Sequence, residues 1–556
     1  MNLMNDVQRC AIETGARAAI LVATVVVLTL PLYSQQTSSD VPNAATTASQ
    51  QPSAASQQSD QQLAQELDAM KKRIAQLEAA LKQHEAAEQP NTVVHTAKGS
   101  TPVAVPAIEP VENAVETAAG STAPEKPGKE VPFAFADWTW LNGNARTKTP
   151  AFDSKFFTPE IRADIDYIYD LNHPKDDTIG GSSEVFRSNE FHVTQLGVGG
   201  DFHYDNVRAR LMTQFGLYSE TTPRNDASPA RGQWNLADAY RYVSEAYGGY
   251  HFNALHGINV DAGIFMSYIG LFSYYNFDNW AYQPSYVSSN TPWFFNGMRI
   301  QIFPTAHLKI EPWIVNGWQS YGRFNNRLGI GGQILWRPNG WLSILGNQYA
   351  LGEDALNTPG RVRYHTDDSI EVKYYDHPER TLSKAAFSLT GDMGCEHGGG
   401  VSCAGNSTQI IGGQRVLAPK QDFLGFMIYN RLWFHKDLYG FTLGGGKINN
   451  PGRYLVLLPP INGATATSGT PYFTENPGDP YKAWDASGTF DYMPSQYITF
   501  RWEFDHRAAN VPYFSGKGGI TPPGGNTGAL GSLVPGFTPD LVKDENRFDL
   551  AILVKF

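Results

Sequence analysis

Residues Phe548–Phe556 read FDLAILVKF and decide the fold class. Every second residue of this stretch is apolar: Phe548, Leu550, Ile552, Val554 and Phe556. Asp549 and Lys555 occupy positions between them. Because successive side chains of a β-strand point to opposite faces, the stretch predicts a strand with one apolar and one partly charged face.

The same alternation recurs upstream. In residues 161–169 the apolar positions oppose Arg162, Asp164 and Asp166, and in residues 207–217 they oppose Arg208 and Arg210. No convincing amphipathic helix is found from 156 to 556. The pattern predicts sixteen strands, at 157–170, 188–203, 206–217, 238–252, 257–267, 294–303, 307–317, 327–337, 341–351, 361–376, 381–390, 422–435, 438–448, 482–490, 495–507 and 545–556. Alternation alone also fits a soluble β-sandwich.

The lengths of the connections favour a membrane barrel over a sandwich. Short turns such as 204–205 and 338–340 alternate with long segments such as 218–237 and 508–543. Outer-membrane barrels have short periplasmic turns and long outer loops, and an even strand number returns both chain ends to the periplasm. The predicted fold is therefore all-β, a transmembrane antiparallel β-barrel of about sixteen strands over 156–556.

Composition agrees with a surface that does not face water. The 556 residues are 17% charged and 12% aromatic, whereas soluble domains are about 25% charged. The net charge of −11 excludes a basic nucleic-acid binder on bulk electrostatics. Aromatic residues near predicted strand ends suit interfacial girdles, although any one of them could instead pack inside; examples are Tyr167, Tyr169, Trp293, Trp313 and Trp318.

The N-terminus resembles an export signal. Arg9 and Arg17 precede an uncharged apolar run over 18–33, after which the composition becomes polar. This pattern predicts a cleaved signal peptide at 1–34. The alternative is an uncleaved membrane anchor, but the run is shorter than the ~20 residues that a spanning helix needs.

A short coiled coil is expected to follow. Residues 35–59 are polar and of low complexity, which predicts disorder. Within 60–88, apolar residues recur at heptad spacing: Leu63, Leu67, Met70, Ile74, Leu77 and Leu81. This seam predicts an oligomerisation stalk, or alternatively an amphipathic helix docked elsewhere. Residues 89–155 predict a Pro/Ala-rich linker and lead-in to the barrel.

Several motifs of the barrel region resemble a known family. These are GIFMSYIG at Gly263–Gly270, the stretch Asn276–Tyr286, and Asn296–Arg299 followed by Val315–Trp318. They look like those of the putative β-barrel porin-2, OmpL-like family. The resemblance implies an outer-membrane β-barrel that serves as a porin, and it transfers no defined substrate. The coiled-coil prefix is similar to that of some trimeric porins.

Charged strand residues opposite the apolar face are the candidates for lining a pore, because charges facing lipid at mid-depth would cost about 2–4 kcal/mol each. They are Arg162, Asp164, Asp166, Arg208, Arg210, Asp261, Arg299, Lys309, Glu311, Glu371, Lys373, Arg501, Glu503 and Asp505. They could screen solutes electrostatically, or simply solvate a wide lumen and pair with one another. The loop 268–293 is predicted to constrict the channel.

Two cysteines remain if Cys10 leaves with the signal peptide. Cys395 and Cys403 lie in one long loop of an exported chain, which predicts a disulfide. A metal site with His397 is the alternative, but it lacks a fourth ligand. No motif for catalysis or for a cofactor is recognised, so the chain is predicted to be neither an enzyme nor a cofactor carrier.

The function that the sequence favours is a passive channel for small hydrophilic solutes or ions in the bacterial outer membrane. A surface structural or adhesion protein anchored by the barrel is the main alternative, and an outer-membrane hydrolase is a third. The stretch 87–155 looks too short and Pro-rich for a plug domain, which favours an open or loop-constricted lumen. The expected partners are outer-membrane lipid, the β-barrel assembly machinery acting on Phe556, and two further copies of the chain in a trimer with a periplasmic coiled coil.

Overall fold

The computed structural model describes the barrel and the residues that lead into it. It covers residues 130–179, 185, 187–223, 226, 235–323, 326–352, 360–405, 407–411, 413–450, 481–520 and 540–556. The predicted signal peptide, the polar segment, the coiled coil and most of the linker lie outside the described residues.

Sixteen antiparallel strands form one closed barrel, which confirms the predicted fold class and strand number. The strands are β1 (Phe157–Asp170), β2 (Phe191–Tyr204), β3 (Val207–Thr213), β4 (Val243–Phe252), β5 (Ile258–Met266), β6 (Phe294–Thr305), β7 (Leu308–Val315), β8 (Gly329–Asn339), β9 (Leu342–Leu351), β10 (Val362–Asp376), β11 (Leu382–His397), β12 (Asp422–Phe434), β13 (Tyr439–Asn450), β14 (Tyr481–Ser495), β15 (Ile498–Ala509) and β16 (Asp544–Lys555). Each strand pairs with its neighbours in sequence, and β16 closes the barrel against β1 with Ile552 opposite Ile165. Closure leaves no unpaired barrel edge.

The connections sort to the two ends of the barrel by length. Those at one end hold two to five residues, and those at the other hold ten to thirty-four, counted between strand ends. β1 begins and β16 ends at the short-turn end, as the parity of the predicted strands requires. The long connections contain short helical turns and two small strand pairs, Ser407–Ile411 with Gln414–Ala418 and Phe514–Ser515 with Leu541–Val542.

The two faces of the wall differ in polarity. On β1, Ile161 and Ile165 are exposed, whereas Arg162, Asp164 and Asp166 are buried. The other strands repeat this arrangement, with large apolar side chains outside and polar or charged side chains inside. Such a distribution suits a barrel whose outer face meets lipid. No helix among the described residues is long and apolar enough to cross a membrane.

The aromatic girdle prediction is correct for only part of its examples. Tyr169 is exposed at the long-loop end of β1, where a girdle is expected. Trp293, Trp313 and Trp318 are instead buried inside the barrel, so their assignment to a girdle is wrong. Trp313, for example, stacks on Tyr268 with ring centroids 5.0 Å apart. These three residues bury their rings against other aromatic side chains, a role that position near a strand end does not distinguish from a girdle.

Candidate channel lumen

All fourteen predicted pore-lining residues lie on the inner face of the wall. Twelve are buried, and Arg208 and Lys373 are partly buried. Most of them pair with opposite charges instead of standing free in a wide aqueous lumen. Burial of this extent means that something other than solvent covers the inner wall.

The first charge cluster lies on β1 and β3. Glu160 pairs with Arg162, and Arg210 Nη2 lies 3.1 Å from Glu160 Oε2. Arg162 Nη1 also lies 2.7 Å from Asp278 Oδ2, and Asp278 belongs to the connection between β5 and β6. This ion pair therefore ties the wall to a long loop inside the barrel. Asp166 accepts a hydrogen bond from Thr194 on β2.

A second cluster lies on β3 and β5–β7. Asp261 lies between Arg208 and Arg299, with Nε to carboxylate distances of 3.3 and 3.1 Å. Glu311 pairs with Lys309 two residues away on β7. All five are wall residues, so this cluster stabilises neighbouring strands against one another.

A third cluster on β12–β16 reaches the middle of the lumen. Arg501 Nε donates to Asp491 Oδ1 (2.7 Å), and its Nη2 donates to the carbonyl of Asn279 (2.6 Å). Glu503 accepts from the backbone amides of Tyr282 (2.6 Å) and Gln283 (2.7 Å). Charged side chains of the wall thus hold the backbone of the loop 268–293.

Glu503 and its neighbours also form the one group of acidic side chains, among the described residues, whose geometry could hold a metal ion. Its members are Glu503, Asp505 and Asp549. Arg547 Nε lies 3.3 Å from Asp549 and 3.7 Å from Asp505. The Arg547 guanidinium therefore already neutralises part of the negative charge that a bound metal ion would neutralise.

Glu371 and Lys373 lie on the inner face of β10. Lys373 Nζ is 2.6 Å from Asp376 and 5.9 Å from the ring of Trp140. Trp140 precedes the barrel in sequence, so its position beside β10 shows that the lead-in to the barrel lies inside it.

The loop 268–293, called the inserted loop below, folds into the lumen as the sequence predicts. Its hydrogen bonds reach five strands around the barrel: Asn276 to Asp164 on β1, Tyr275 to Glu245 on β4, Tyr268 to Gln348 on β9, Tyr286 to Asp485 on β14 and Gln283 to Glu503 on β15. Burial raises the pKa of the Tyr282 hydroxyl well above its usual range, so it stays protonated and donates to Asp164 (3.1 Å). The loop is thus anchored on all sides and spans the lumen.

A second insertion, which the sequence analysis missed, enters from the short-turn end. Residues 130–149, called the plug segment below, begin beside the β6–β7 turn, where Phe133 N donates to Ala306 O (2.8 Å). They end beside the β14–β15 turn, where Asn144 Nδ2 donates to the carbonyls of Ser495 (3.1 Å) and Ile498 (3.2 Å). These two turns lie eight strands apart in a ring of sixteen, on opposite sides of the barrel.

Aromatic side chains fasten the plug segment between those turns. Trp138 and Trp140 are 2% and 0% exposed. The Arg337 guanidinium of β8 lies 4.4 Å from the centroid of the Trp138 ring, a cation–π contact. The sequence predicts that 87–155 is too short and Pro-rich to plug the barrel, and that prediction is wrong for these residues, which bury their rings in the lumen.

The two insertions meet inside the barrel, beside β12. Gly143 N donates to Asp278 O (2.9 Å). A Cβ on Gly143 would lie 2.3 Å from Phe277 O and 2.4 Å from Asn279 O, so only glycine permits this approach. Arg431 of β12 holds both chains, because its Nη2 donates to Gly143 O (2.7 Å) and its Nη1 to Trp280 O (3.1 Å).

These contacts leave little free space around the inserted loop. A cavity lined by Tyr274, Pro284 and Trp293 has a volume of about 30 Å³, which is room for water but not for a solute. The inserted loop and the plug segment therefore lie across the described part of the lumen and obstruct it.

Two predicted features lie outside the lumen. Cys395 and Cys403 are joined by a disulfide at the long-loop end, with Cα atoms 5.1 Å apart. Phe556 is exposed at the short-turn end and stacks on Tyr497, with ring centroids 5.4 Å apart.

Comparison with known proteins gives one family. The sequence model described as putative beta-barrel porin-2, OmpL-like, matches residues 162–414. No curated protein matches the chain. The porin-2 match and the closed sixteen-stranded barrel together support an outer-membrane porin channel.

Similar solved structures are outer-membrane proteins of distant sequence. OmpT of Vibrio cholerae is 10% identical, with 73% of this chain and 99% of that chain covered and a TM-score of 0.40. The channel DcaP of Acinetobacter baumannii is 11% identical, with coverages of 73% and 99% and a TM-score of 0.38. An anion-selective porin from Comamonas acidovorans is 9% identical, with coverages of 72% and 99% and a TM-score of 0.40.

Proposed function

We propose that the protein is a passive diffusion channel for small hydrophilic solutes or ions in the outer membrane. The observation that carries the proposal is the inner wall, which is polar and charged from β1 to β16 although it is shielded from bulk water. Barrels of sixteen strands are wide enough for an aqueous channel. A barrel that served only as an anchor would have no need of an inner wall lined with so many ionisable side chains.

The channel conducts when the insertions move. The inserted loop and the plug segment join through the Gly143–Asp278 backbone hydrogen bond, the shared contacts of Arg431, and a common apolar cluster that includes Trp140 and Trp280. All of these contacts are separable without breaking any strand pair. Displacing the plug segment opens the short-turn end, and a shift of the inserted loop exposes the clusters around Arg162, Asp261 and Arg501. These clusters then act as the electrostatic screen for the solute.

A second candidate is a surface structural or adhesion protein that uses the barrel as a membrane anchor. The observation in its favour is the obstructed lumen, because the inserted loop contacts strands on several sides of the barrel. In that case the long loops would bind a partner and the insertions would never leave the lumen.

Liposome swelling separates the two candidates. Full-length protein is reconstituted into vesicles, which are diluted into iso-osmotic solutions of sugars and amino acids of increasing size. A channel predicts swelling that falls steeply with solute size. The anchor predicts no swelling for any solute, and that result would refute the channel.

We further propose a processed, trimeric protein. The signal peptide at 1–34 directs the chain to the periplasm and is then cleaved. The assembly machinery recognises Phe556 and inserts the barrel into lipid. The predicted coiled coil at 60–88 then lies on the periplasmic side. Both ends of the barrel lie at the short-turn end, which supports this placement.

A further inference from the structure

β10 carries an exposed charge on the outer face of the barrel, as β13 does at Lys447, whose paired neighbours Phe426 and Trp484 are also exposed. The outward row of β10 begins at Tyr364 and ends at Tyr374, aromatic residues of the kind that mark the two interfaces. Asp368 lies between them and is exposed. The Asp368 carboxylate therefore lies on the outer face of the wall, where the side chains of a membrane barrel contact hydrocarbon.

Neighbouring polar groups extend this site. Thr366 Oγ1 donates to Asp368 Oδ2 (3.0 Å), and the backbone amide of Asn347 donates to Oδ1 (3.2 Å). Gln348 on β9 donates to Thr366 Oγ1 (2.5 Å). Three polar side chains thus form a hydrogen-bonded patch on the outside of β9 and β10, called the outer polar patch below (Gln348, Thr366 and Asp368).

β16, six strands away from β10, shows what a lipid-facing strand of this barrel looks like. The outward row of β16 consists of Phe548, Leu550, Ile552 and Val554 between Asn546 and Phe556, and it carries no charge over that span. Charged groups on the lipid face of a barrel are unfavourable, and most so at mid-depth. The outer polar patch is therefore a poor surface for hydrocarbon.

The patch also lies in a shallow depression. Asp368 is paired with Gly346 on β9 and with Gly391 on β11, so the outward positions on both sides of it have no side chain. A Cβ added to Gly391 would meet nothing within 4 Å. Small residues of this kind let the backbone of another membrane element approach closely.

We propose that a second copy of this chain packs against the outer polar patch and the two flanking glycines. This inference rests on the proposed self-association but not on conduction. A second copy is the expected occupant, because the heptad seam from Leu63 to Leu81 predicts that the chain self-associates. A neighbouring barrel would remove Asp368 from lipid and fill the depression beside Gly346 and Gly391.

A pair of glycine substitutions tests this surface. Gly391→Phe adds a ring to the depression, and Gly248→Phe is the matched control, because Gly248 is also exposed on a strand and a Cβ there also meets nothing within 4 Å. Native mass spectrometry of the full chain in mild detergent measures the oligomer. We expect loss of the oligomer in Gly391→Phe and its retention in Gly248→Phe. Oligomers retained in both variants would overturn the proposal.

Photocrosslinking keeps the test independent of how the glycine variants fold. A photoreactive amino acid replaces Gln348 in one sample and Leu211, an exposed residue of β3, in another. The proposal predicts a crosslinked dimer of this chain from position 348 and none from position 211. Adducts at 348 with lipid alone, or with a different protein, would contradict it. Liposome swelling of the same samples reports on conduction separately, so failure of the interface and failure of the channel are distinguishable.

Discussion

Replacing Arg431 with methionine should open the channel. Arg431 is buried and holds the plug segment through Gly143 O (2.7 Å) and the inserted loop through Trp280 O (3.1 Å). Methionine keeps most of the volume but donates neither hydrogen bond. Asp491, the carboxylate partner of Arg431, keeps a cationic partner in this variant, because Arg501 also donates to it (2.7 Å).

The size of the effect follows from the two lost hydrogen bonds. A hydrogen bond to a charged group contributes about 1.5–3 kcal/mol, so the variant destabilises the docked insertions by at least about 3 kcal/mol. At 1.4 kcal/mol for each factor of ten, the ratio of docked to displaced states falls by on the order of a hundredfold. Single-channel recordings in planar bilayers should therefore show a much higher open probability.

Arg299→Met is the matched control. Arg299 is equally buried, but it pairs with Asp261 and Glu311 on the wall, and these retain Arg208 and Lys309 as partners. Its removal should leave the open probability near that of the unmodified protein. Equal open probabilities for Arg431→Met, Arg299→Met and the unmodified protein would refute the role assigned to the insertions, provided that all three migrate as folded barrels in cold SDS gels.

Two further predictions concern parts of the chain away from the lumen. Replacing Cys395 and Cys403 together with serine should destabilise the 398–421 loop by about 2.5 kcal/mol on the chain-entropy model. Proteases should then cleave this loop faster, while conductance stays unchanged. Faster loss of the barrel itself would contradict this prediction. Changing Leu67 and Ile74 to Asp should dissociate the helices of the predicted stalk, because buried unpaired charge is costly. Crosslinking of this variant should still recover the barrel trimer. Monomers in the unmodified protein would exclude a trimer.

The sequence predicts the barrel well because the wall obeys a local rule. Each strand alternates apolar and polar residues, and the predicted 157–170 and the observed Phe157–Asp170 coincide. Errors concentrate at strand ends in the long connections. The strand predicted at 381–390 continues to His397, and the segment predicted from 238 begins with a helical turn, Leu236–Tyr240, before β4. Loop contacts, not alternation, set these ends.

The plug segment illustrates what alternation cannot predict. Phe133, Trp138 and Trp140 follow a Pro-rich stretch and form no strand, so a count of strands gives them no place. Their binding sites, Ala306, Arg337 and Lys373, are distributed over three hairpins. A cluster of large aromatic residues beside a polar linker was the available signal that this segment is buried.

Single-channel conductance of a chain with an emptied short-turn end tests the central claim most directly. Residues 130–149 are replaced by a flexible Gly/Ser spacer of equal length, and the variant is compared with the full chain in planar bilayers at the same salt concentration. A porin closed by its own plug segment predicts rare openings for the full chain and regular, stable conductance steps for the variant. Folded barrels of both proteins that give no steps at any applied voltage would contradict it.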